Sequence, residues 1–324
     1  MKKKVYVLVT IDTECDKGNP GWDIARPLAF RNIPLQKELL MPLFNKYGIK
    51  PTFLLSPEVI KDEGSVLLFK SLKNVELGTH LHEEFIAPNS NEKTNRTKGI
   101  QALLEPDLEK EKLKNLTELF IKNFEYTPKS FRSGRFGSSP YTTKFLADLG
   151  YLVDSSVVPY TQKFYQEGFT LNFWGKTTKP YFEKFGNSDI LQVPLTLINP
   201  KFEKLPNLLQ KEYLKPKSKV KKVLNKLNYK PKTRWLRPYR ENAEGMIVIA
   251  DHVINKHFKD DKFSILNIMF HSNEILVNGS PYCKNEEEVN EFIGSLDQLF
   301  NHIKKTYKLC SIGLGEVYGI YGQN

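Results

Sequence analysis

The sequence predicts an α/β fold in which parallel strands alternate with helices, and three observations lead to that prediction. Short apolar runs alternate along the 324 residues with stretches of helical periodicity, an order typical of parallel strands joined by crossover helices. Hydrophobic residues make up 40% of the chain and charged residues 26%, as in ordinary globular proteins. No apolar run approaches the roughly 18 residues of a membrane-spanning helix. The length suits one large barrel or two smaller domains, and because nothing requires a second domain we predict a single domain over residues 1–324.

The predicted elements follow one another in a regular order. The predicted strands lie at about 5–14, 51–55, 75–82, 130–132, 151–156, 190–193 and 264–271. The predicted helices lie at about 35–46, 66–72, 107–124, 141–149 and 285–303. The last helix has Asn285 three residues before Glu288, the spacing of a helix cap. In a parallel α/β barrel the loops at the C-terminal ends of the strands open on one face, so polar residues at those ends are candidates for function.

Two of these strand ends carry residues that can bind a metal. In Glu76-Leu77-Gly78-Thr79-His80-Leu81-His82 the histidines are two positions apart, so both side chains leave the same face of the strand. Two imidazoles can share a metal, and a catalytic zinc usually has three protein ligands and a water. Asp12 and Glu14 also share a strand face at the end of the first strand, and they are the best candidates for the third ligand.

Three further polar residues lie at later strand ends, namely Arg132, Asp154 and His271. Each short motif has an ordinary structural interpretation, because paired histidines are often solvated or buried in a core and an isolated arginine often pairs with a carboxylate. The occurrence of several such residues in order along successive strand ends favours a common site.

The motifs resemble those of the polysaccharide deacetylases, the NodB homology or carbohydrate esterase 4 superfamily. The matching segments are Thr10-Ile11-Asp12-Thr13-Glu14, Glu76-Leu77-Gly78-Thr79-His80-Leu81-His82, Phe131-Arg132-Ser133-Gly134-Arg135-Phe136-Gly137, Asp154-Ser155-Ser156-Val157 and Met269-Phe270-His271-Ser272-Asn273-Glu274. Their form is most similar to the WalW-type subgroup, which is met in polysaccharide biosynthesis. The resemblance spans about residues 5 to 320. It differs from the common family pattern in spacing the histidines two rather than four positions apart.

The resemblance implies a distorted (β/α) barrel of about seven parallel strands and a metal-dependent N-deacetylase that acts on an amino sugar of a glycan or glycan precursor. By analogy Glu14, His80 and His82 bind a divalent metal, with zinc expected, and the ion polarises the acetamide and lowers the pKa of a bound water. Asp12 is then the general base, His271 protonates the leaving amine and Arg132 orients Asp12. The spacing alone also allows Asp12 as the ligand and Glu14 as the base.

One segment accounts for the whole positive charge of the protein. Residues 201–240 contain eleven Lys and three Arg against two Glu, a net charge of +12 in a chain whose total is +11. We predict that this basic segment is an insertion in the barrel. Val220, Val223, Leu224 and Leu227 lie at helical spacing among its lysines, a pattern that allows peripheral contact with an anionic membrane surface. The alternative is a solvated helix that packs its few apolar residues on the barrel. Nucleic-acid binding is not expected, because the segment matches no binding motif.

Three cysteines without paired spacing favour a reducing compartment, so the protein is expected in the cytoplasm, with membrane association at the inner face as an option. The expected partner is a glycan or a lipid-linked amino sugar. Two alternatives keep the barrel: a deacetylase of a small amide or O-acetyl ester, and a non-catalytic protein that binds carbohydrate or a membrane surface. A glycosidase that uses a carboxylate pair is disfavoured, because that chemistry has no use for two histidines.

Overall fold

The structure, a computed structural model, describes residues 2–18, 22–90, 99–164, 170–186, 188–215 and 217–322. Its strands are β1 Lys4–Thr13, β2 Pro51–Leu55, β3 Glu76–Leu81, β4 Ser130–Ser133, β5 Val153–Asp154, β6 Gln162–Phe164, β7 Thr170–Asn172, β8 Tyr181–Phe185, β9 Ser188–Gln192, β10 Leu197–Ile198, β11 Arg234–Trp235, β12 Phe263–His271 and β13 Lys308–Ser311. Its α-helices are α1 Asn32–Leu35, α2 Met41–Tyr47, α3 Pro57–Lys61, α4 Glu63–Ser71, α5 Pro106–Phe124, α6 Thr142–Asp148, α7 Pro200–Glu203, α8 Asn207–Tyr213, α9 Lys219–Lys226, α10 Ala243–His252, α11 Glu286–Thr306 and α12 Val317–Tyr321. Single π-helical turns occur at Gln36–Leu40 and Val253–His257.

The main sheet contains seven neighbouring parallel strands in the order β12-β1-β2-β3-β4-β5-β9. The predicted α/β fold, a NodB-like distorted (β/α) barrel of about seven parallel strands, is therefore confirmed. Two further strands of this sheet were not predicted: β8 is antiparallel to β9 at one edge, and β13 pairs with the first half of β1. Both are largely half-exposed and contain a lysine, so neither forms a continuous apolar run. The short strands β6, β7, β10 and β11, which lie outside this sheet, were not predicted either.

The strands of the main sheet are buried because helices cover them. Every residue of β1 after its first is buried, and the same holds for all of β2 and β4. Burial along the whole length is expected of parallel strands that are covered on both faces; β1 and β2 accordingly consist mainly of apolar residues, whereas β4 buries Ser130, Arg132 and Ser133. The helices α5 and α11 each bury one face, and Asn285 caps α11 by accepting a hydrogen bond from the backbone N–H of Glu288 at 2.9 Å.

The basic segment begins shortly after the short strand β10 and contains β11 near its end, and these two strands pair antiparallel. It contains α7, α8 and α9, and none of the residues of α9 is buried. Beside it, Leu195 and Leu197 belong to a second, smaller apolar cluster with Phe136 and Val157. Among the described residues, no helix combines the length and the apolar character needed to cross a membrane.

Candidate active site

Sheet register brings the predicted site residues together at the C-terminal ends of four strands. Asp12, at the end of β1, pairs with His271 at the end of β12, and His80 on β3 pairs with Arg132 on β4. Strand β2 lies between β1 and β3, with Leu54 opposite Asp12 and Leu55 opposite Thr79. Side chains from the ends of the four strands nevertheless meet at the mouth of the barrel, because Asp12 lies 3.9 Å from His80 and bonds Arg132, and His271 lies 3.9 Å from Glu14.

A glycine allows β3 to approach its neighbours closely near the histidines. A Cβ atom at Gly78 would lie 2.6 Å from the backbone oxygen of Ser130 on β4 and 2.8 Å from the side chain of Leu54 on β2. Any larger residue would force the strands apart. Gly78 lies two residues before His80 and so helps to set the position of that imidazole.

Glu14, His80 and His82 form a compact, buried cluster. Glu14 Oε1 lies 3.3 Å from His80 Nε2 and 3.1 Å from His82 Nε2. One ligand atom from each of the three residues lies within 4.8 Å of the other two. Two imidazole nitrogens and one carboxylate are a donor set found at catalytic zinc sites.

The second nitrogen of each imidazole is held in a way that suits metal binding. His80 Nδ1 donates a hydrogen bond of 2.9 Å to the backbone oxygen of Arg132, since a carbonyl can only accept. His82 Nδ1 lies 3.2 Å from the carboxylate of Glu84 and donates to it. Both Nε2 atoms are thereby directed toward Glu14. Metal-bound histidines usually donate the other N–H to a carbonyl or carboxylate in this manner, so the residues fit a divalent ion.

A lysine supplies positive charge to the same cluster. Lys17 Nζ lies 2.6 Å from Glu14 Oε2, and both side chains are buried. Burial alone would raise the pKa of Glu14, but Lys17 and His82 outweigh it and hold this pKa well below its usual range. Burial likewise opposes protonation of His82, yet Glu14 and Glu84 raise the pKa of this histidine to about 9. Glu14 is therefore an ionised carboxylate, and a metal ion that binds the cluster would displace the proton of His82.

Asp12 lies beside the cluster and is held by an arginine. Arg132 Nη1 donates a hydrogen bond of 2.5 Å to Asp12 Oδ1, and its other nitrogens bond Thr10 and Ser155. Asp12 Oδ2 is 3.9 Å from His80 Nε2. Burial would raise the pKa of Asp12, but Arg132 and the nearby histidines outweigh it and lower this pKa. Asp12 is thus an ionised carboxylate next to the ligand cluster, and one of its oxygens is free of Arg132.

His271 also adjoins the cluster, next to Glu14. Its Nε2 lies 3.9 Å from Glu14 Oε1, and its side chain is 19% exposed. Its Nδ1 donates to Glu274 Oε1 at 2.9 Å, and Arg237 donates to the same carboxylate oxygen. The ring of Trp22 packs against the imidazole, with centroids 4.7 Å apart. His271 is therefore oriented by its Nδ1 side and presents Nε2 to the mouth.

The structure brings Asp12, Glu14, His80, His82, Arg132 and His271 into one site. Asp154 is directed elsewhere: it accepts hydrogen bonds from Ser156 Oγ at 2.5 Å and Gln192 Nε2 at 2.9 Å. Burial raises the pKa of this carboxyl group to about 6.

Sequence reasoning assigned no role to four residues that contact the site, namely Lys17, Glu84, Arg237 and Glu274. Glu84 and Glu274 lie two and three residues after a site histidine, and this local spacing is a signal that could have identified them. Arg237 and Glu274, which form a contact, are 37 residues apart in the sequence. That separation left no pattern to recognise. Lys17 lies three residues after Glu14, but a single nearby lysine has no special meaning in a sequence.

A scan of the sequence against protein-family models finds no match, and a search of the curated proteins finds no significant one. Solved structures do match. A protein provisionally described as a polysaccharide deacetylase from Mycobacterium smegmatis superimposes with a TM-score of 0.54 at 11% identity, over 100% of this chain and 92% of that chain. A probable polysaccharide deacetylase from Pseudomonas aeruginosa PAO1 gives 0.53 at 11% identity, over 99% and 91% of the two chains.

An allantoinase named Puue also matches, with a TM-score of 0.53 at 10% identity, over 99% of this chain and 90% of that chain. These identities establish the fold alone. The fold is that of the polysaccharide deacetylases, as the motifs predict, and the WalW-type subgroup stays a prediction. Because an allantoinase shares the fold, the fold does not identify the substrate, which depends on the residues of the site.

Proposed function

We propose that this protein is a metal-dependent hydrolase that removes an N-acetyl group from an amino sugar of a glycan or glycan precursor. The observation that carries the proposal is the meeting of Glu14, His80 and His82 at one point, within 4.8 Å of one another. Asp12 Oδ2 lies 3.9 Å from His80 Nε2 and His271 Nε2 lies 3.9 Å from Glu14 Oε1, so a candidate base and a candidate acid both adjoin the cluster.

Glu14, His80 and His82 would hold the metal, and zinc suits a set of two imidazoles and one carboxylate. When bound, a divalent ion of this kind polarises the acetyl carbonyl and lowers the pKa of a water molecule toward neutrality. Glu14 is favoured over Asp12 as the carboxylate ligand, because Glu14 lies 3.3 Å from His80 Nε2 whereas Asp12 lies 3.9 Å away and is bonded to Arg132.

Asp12 would accept the proton of the attacking water. Arg132 holds Oδ1, so Oδ2 is the oxygen available for that proton. The charge of Arg132 keeps the carboxylate ionised at neutral pH, the form in which it can act as a base. Because Arg132 is itself fixed by Thr10 and Ser155, it orients Asp12 without the entropy cost of a mobile side chain.

His271 would protonate the departing amine through Nε2. An amine is a poor leaving group unless it is protonated, so an amide substrate needs an acid at this position. Glu274 accepts the Nδ1–H bond, which orients the imidazole with Nε2 toward Glu14. The C–N bond then breaks to give acetate and the free amino sugar.

The test compares two substrates. Acetate release from N-acetylglucosamine oligomers is measured for the zinc-loaded protein and for His271→Asn, with an activated acetyl ester as the second substrate. We expect His271→Asn to lose at least about 100-fold of its amide turnover and much less of its ester turnover, because the activated leaving group needs no proton. Turnover of the ester or a small amide alone would favour the alternative deacetylases and contradict the amino-sugar assignment.

A second candidate is a non-catalytic protein that binds carbohydrate or a membrane surface. The ion pair between Lys17 and Glu14 favours it, because an ammonium group already neutralises the carboxylate that would bind the ion. Metal content separates the two candidates. Purified protein that binds no divalent ion at the mouth would support the binding protein and exclude the hydrolase.

The proposed substrate carrier is a lipid at a membrane surface, contacted through the basic segment. Leu208 and Leu227 of this segment are 78% and 72% exposed, and Val223 is 53% exposed. A pocket of about 430 Å³ beside them is lined by Lys217, Lys221 and other residues of the segment. Exposed apolar side chains among lysines suit the interface of an anionic bilayer.

A further inference from the structure

A second group of metal-binding side chains lies outside the barrel mouth. It consists of Glu203, His252 and His257, whose ligand atoms lie within 4.8 Å of one another. Glu203 is the last residue of α7, at the start of the basic segment, whereas both histidines precede β12. The catalytic proposal makes no use of any of the three.

The distances within this second cluster are short. Glu203 Oε2 lies 2.6 Å from His252 Nε2 and 3.3 Å from His257 Nε2. The two imidazole rings are 5.3 Å apart between centroids and nearly perpendicular. Both histidines thus direct the same nitrogen at the same carboxylate oxygen, so three donor atoms surround one point.

The backbone is shaped so that the two histidines can meet. Residues five apart on a regular α-helix, at about 100° per residue, point about 140° away from each other. The segment Val253–His257 instead forms a π-helical turn, in which the N–H of Phe258 donates to the oxygen of Val253 at 3.0 Å. Such a turn contains more residues than an α-helical turn, which brings positions five apart closer to one face, and π-helical turns are frequent at functional sites.

The surroundings of the cluster also suit a metal. His257 Nδ1 is hydrogen-bonded to Thr178 Oγ1 at 2.8 Å, which fixes the ring with Nε2 toward Glu203. Glu203 Oε1 accepts a hydrogen bond of 2.8 Å from the backbone N–H of Asn199, so Oε2 is left for the histidines. The three side chains are 15% to 23% exposed, so water can complete the coordination.

We propose that Glu203, His252 and His257 form a second divalent-metal site, specific for zinc or a similar ion. Two imidazole nitrogens and one carboxylate oxygen, with an open position for water, are ligands that zinc accepts. The ion would join the start of the basic segment to the helix before β12. It would therefore fix the base of the insertion on the barrel without taking part in hydrolysis.

The experiment counts zinc in the full-length protein. Metal-free protein is titrated with zinc chloride by calorimetry, and bound zinc is measured after desalting. We expect two equivalents in the unaltered protein and one in Glu203→Gln or His257→Asn. His302→Asn is the matched control, because His302 pairs with Asp251 at 2.9 Å but has no second histidine in that pair. It should keep both equivalents.

A variant of the mouth separates this proposal from the proposed hydrolase. His82→Ala should lose the other equivalent, and His82→Ala combined with Glu203→Gln should bind none. If Glu203→Gln and His257→Asn bind as much zinc as the unaltered protein, the second site does not exist. An unaltered protein that binds one equivalent, lost in His82→Ala, contradicts the second site and leaves the hydrolase intact. Circular dichroism of each variant establishes that it is folded.

Discussion

His80 Nδ1 donates a hydrogen bond of 2.9 Å to the backbone oxygen of Arg132, its register partner on the next strand. The same arginine holds Asp12 through its side chain at 2.5 Å. One residue of β4 therefore orients both a proposed metal ligand and the proposed base. This coupling explains how strands far apart in the sequence can hold a site in one geometry.

Replacing Asp12 with Asn should abolish deacetylation but keep the metal. The amide can still accept a hydrogen bond from Arg132, but it cannot take a proton from water, so turnover should fall about 100- to 10,000-fold. Acetate release and metal content measured on the same preparation check this. Because the change leaves Arg132 buried without its counter-ion, a destabilisation of several kcal/mol is also expected. Full turnover in this variant would exclude Asp12 as the base.

Replacing His82 with Ala should remove both the metal and the activity. His82 supplies one of the three donor atoms, and two remaining ligands bind a divalent ion weakly. Metal analysis after desalting and an acetate assay test the variant. A chelator should have the same effect on the unaltered protein, and added zinc should restore activity there but not in the variant.

Replacing Glu274 with Gln should lower kcat and leave KM nearly unchanged. The carboxylate orients His271 through Nδ1 without reaching the mouth, so its loss affects the protonation step rather than substrate binding. A fall in kcat of about 10- to 100-fold is expected. Glu241→Gln, which breaks a more exposed Glu–Arg pair with Arg234, is the control for the loss of such a pair and should behave like the unaltered protein. Equal losses in both variants would indicate a general effect on folding.

Replacing Asp154 with Asn should stabilise the protein above pH 6. Burial raises the pKa of Asp154 to about 6 from an ordinary value of 3.8, so the folded form favours the protonated carboxyl group. Below about pH 4 this carboxyl group is protonated in both the folded and the unfolded protein. As the pH rises through 6 the buried group has to ionise in the folded protein, which lowers the free energy of unfolding by about 3 kcal/mol. Gln192 has an oxygen without a partner, so its amide can turn and accept from the new side chain.

Thermal melts at pH 4.5 and pH 7.5 check the Asp154 prediction. The variant should exceed the unaltered protein in melting temperature by more at pH 7.5 than at pH 4.5. A difference that is independent of pH would show that the carboxyl group titrates normally in the folded protein.

Replacing Leu208 and Leu227 with Ser should weaken binding to anionic vesicles. These side chains are exposed in the basic segment and would enter the bilayer interface. Sedimentation with phosphatidylglycerol vesicles, compared with phosphatidylcholine vesicles, measures the effect. Leu67→Ser is the control, because Leu67 is 62% exposed on α4, outside the basic segment. Absence of lipid-dependent pelleting of the unaltered protein would end the membrane proposal.

Much of the fold and several site residues could be predicted from local sequence. The alternation of short strand segments with helical periodicity predicted the seven parallel strands, because the longest of them, β1 and β12, are buried and consist mainly of apolar residues. The i and i+2 spacing of His80 and His82 predicted their common face for the same local reason. Strands β8 and β13 were not predicted, because half-exposed strands contain few consecutive apolar residues.

The sequence by itself determined the order of the elements and the face on which each polar side chain leaves its strand, since both follow from the periodicity of the backbone. Only the tertiary structure decided that Glu14 rather than Asp12 meets the histidines, and that Lys17, Arg237 and Glu274 adjoin the site. Only the tertiary structure shows that Glu203 lies beside His252 and His257, which follow it by at least 49 residues in the sequence. The reason is physical: contacts between distant residues depend on sheet register and loop path, which the packing of the whole chain sets.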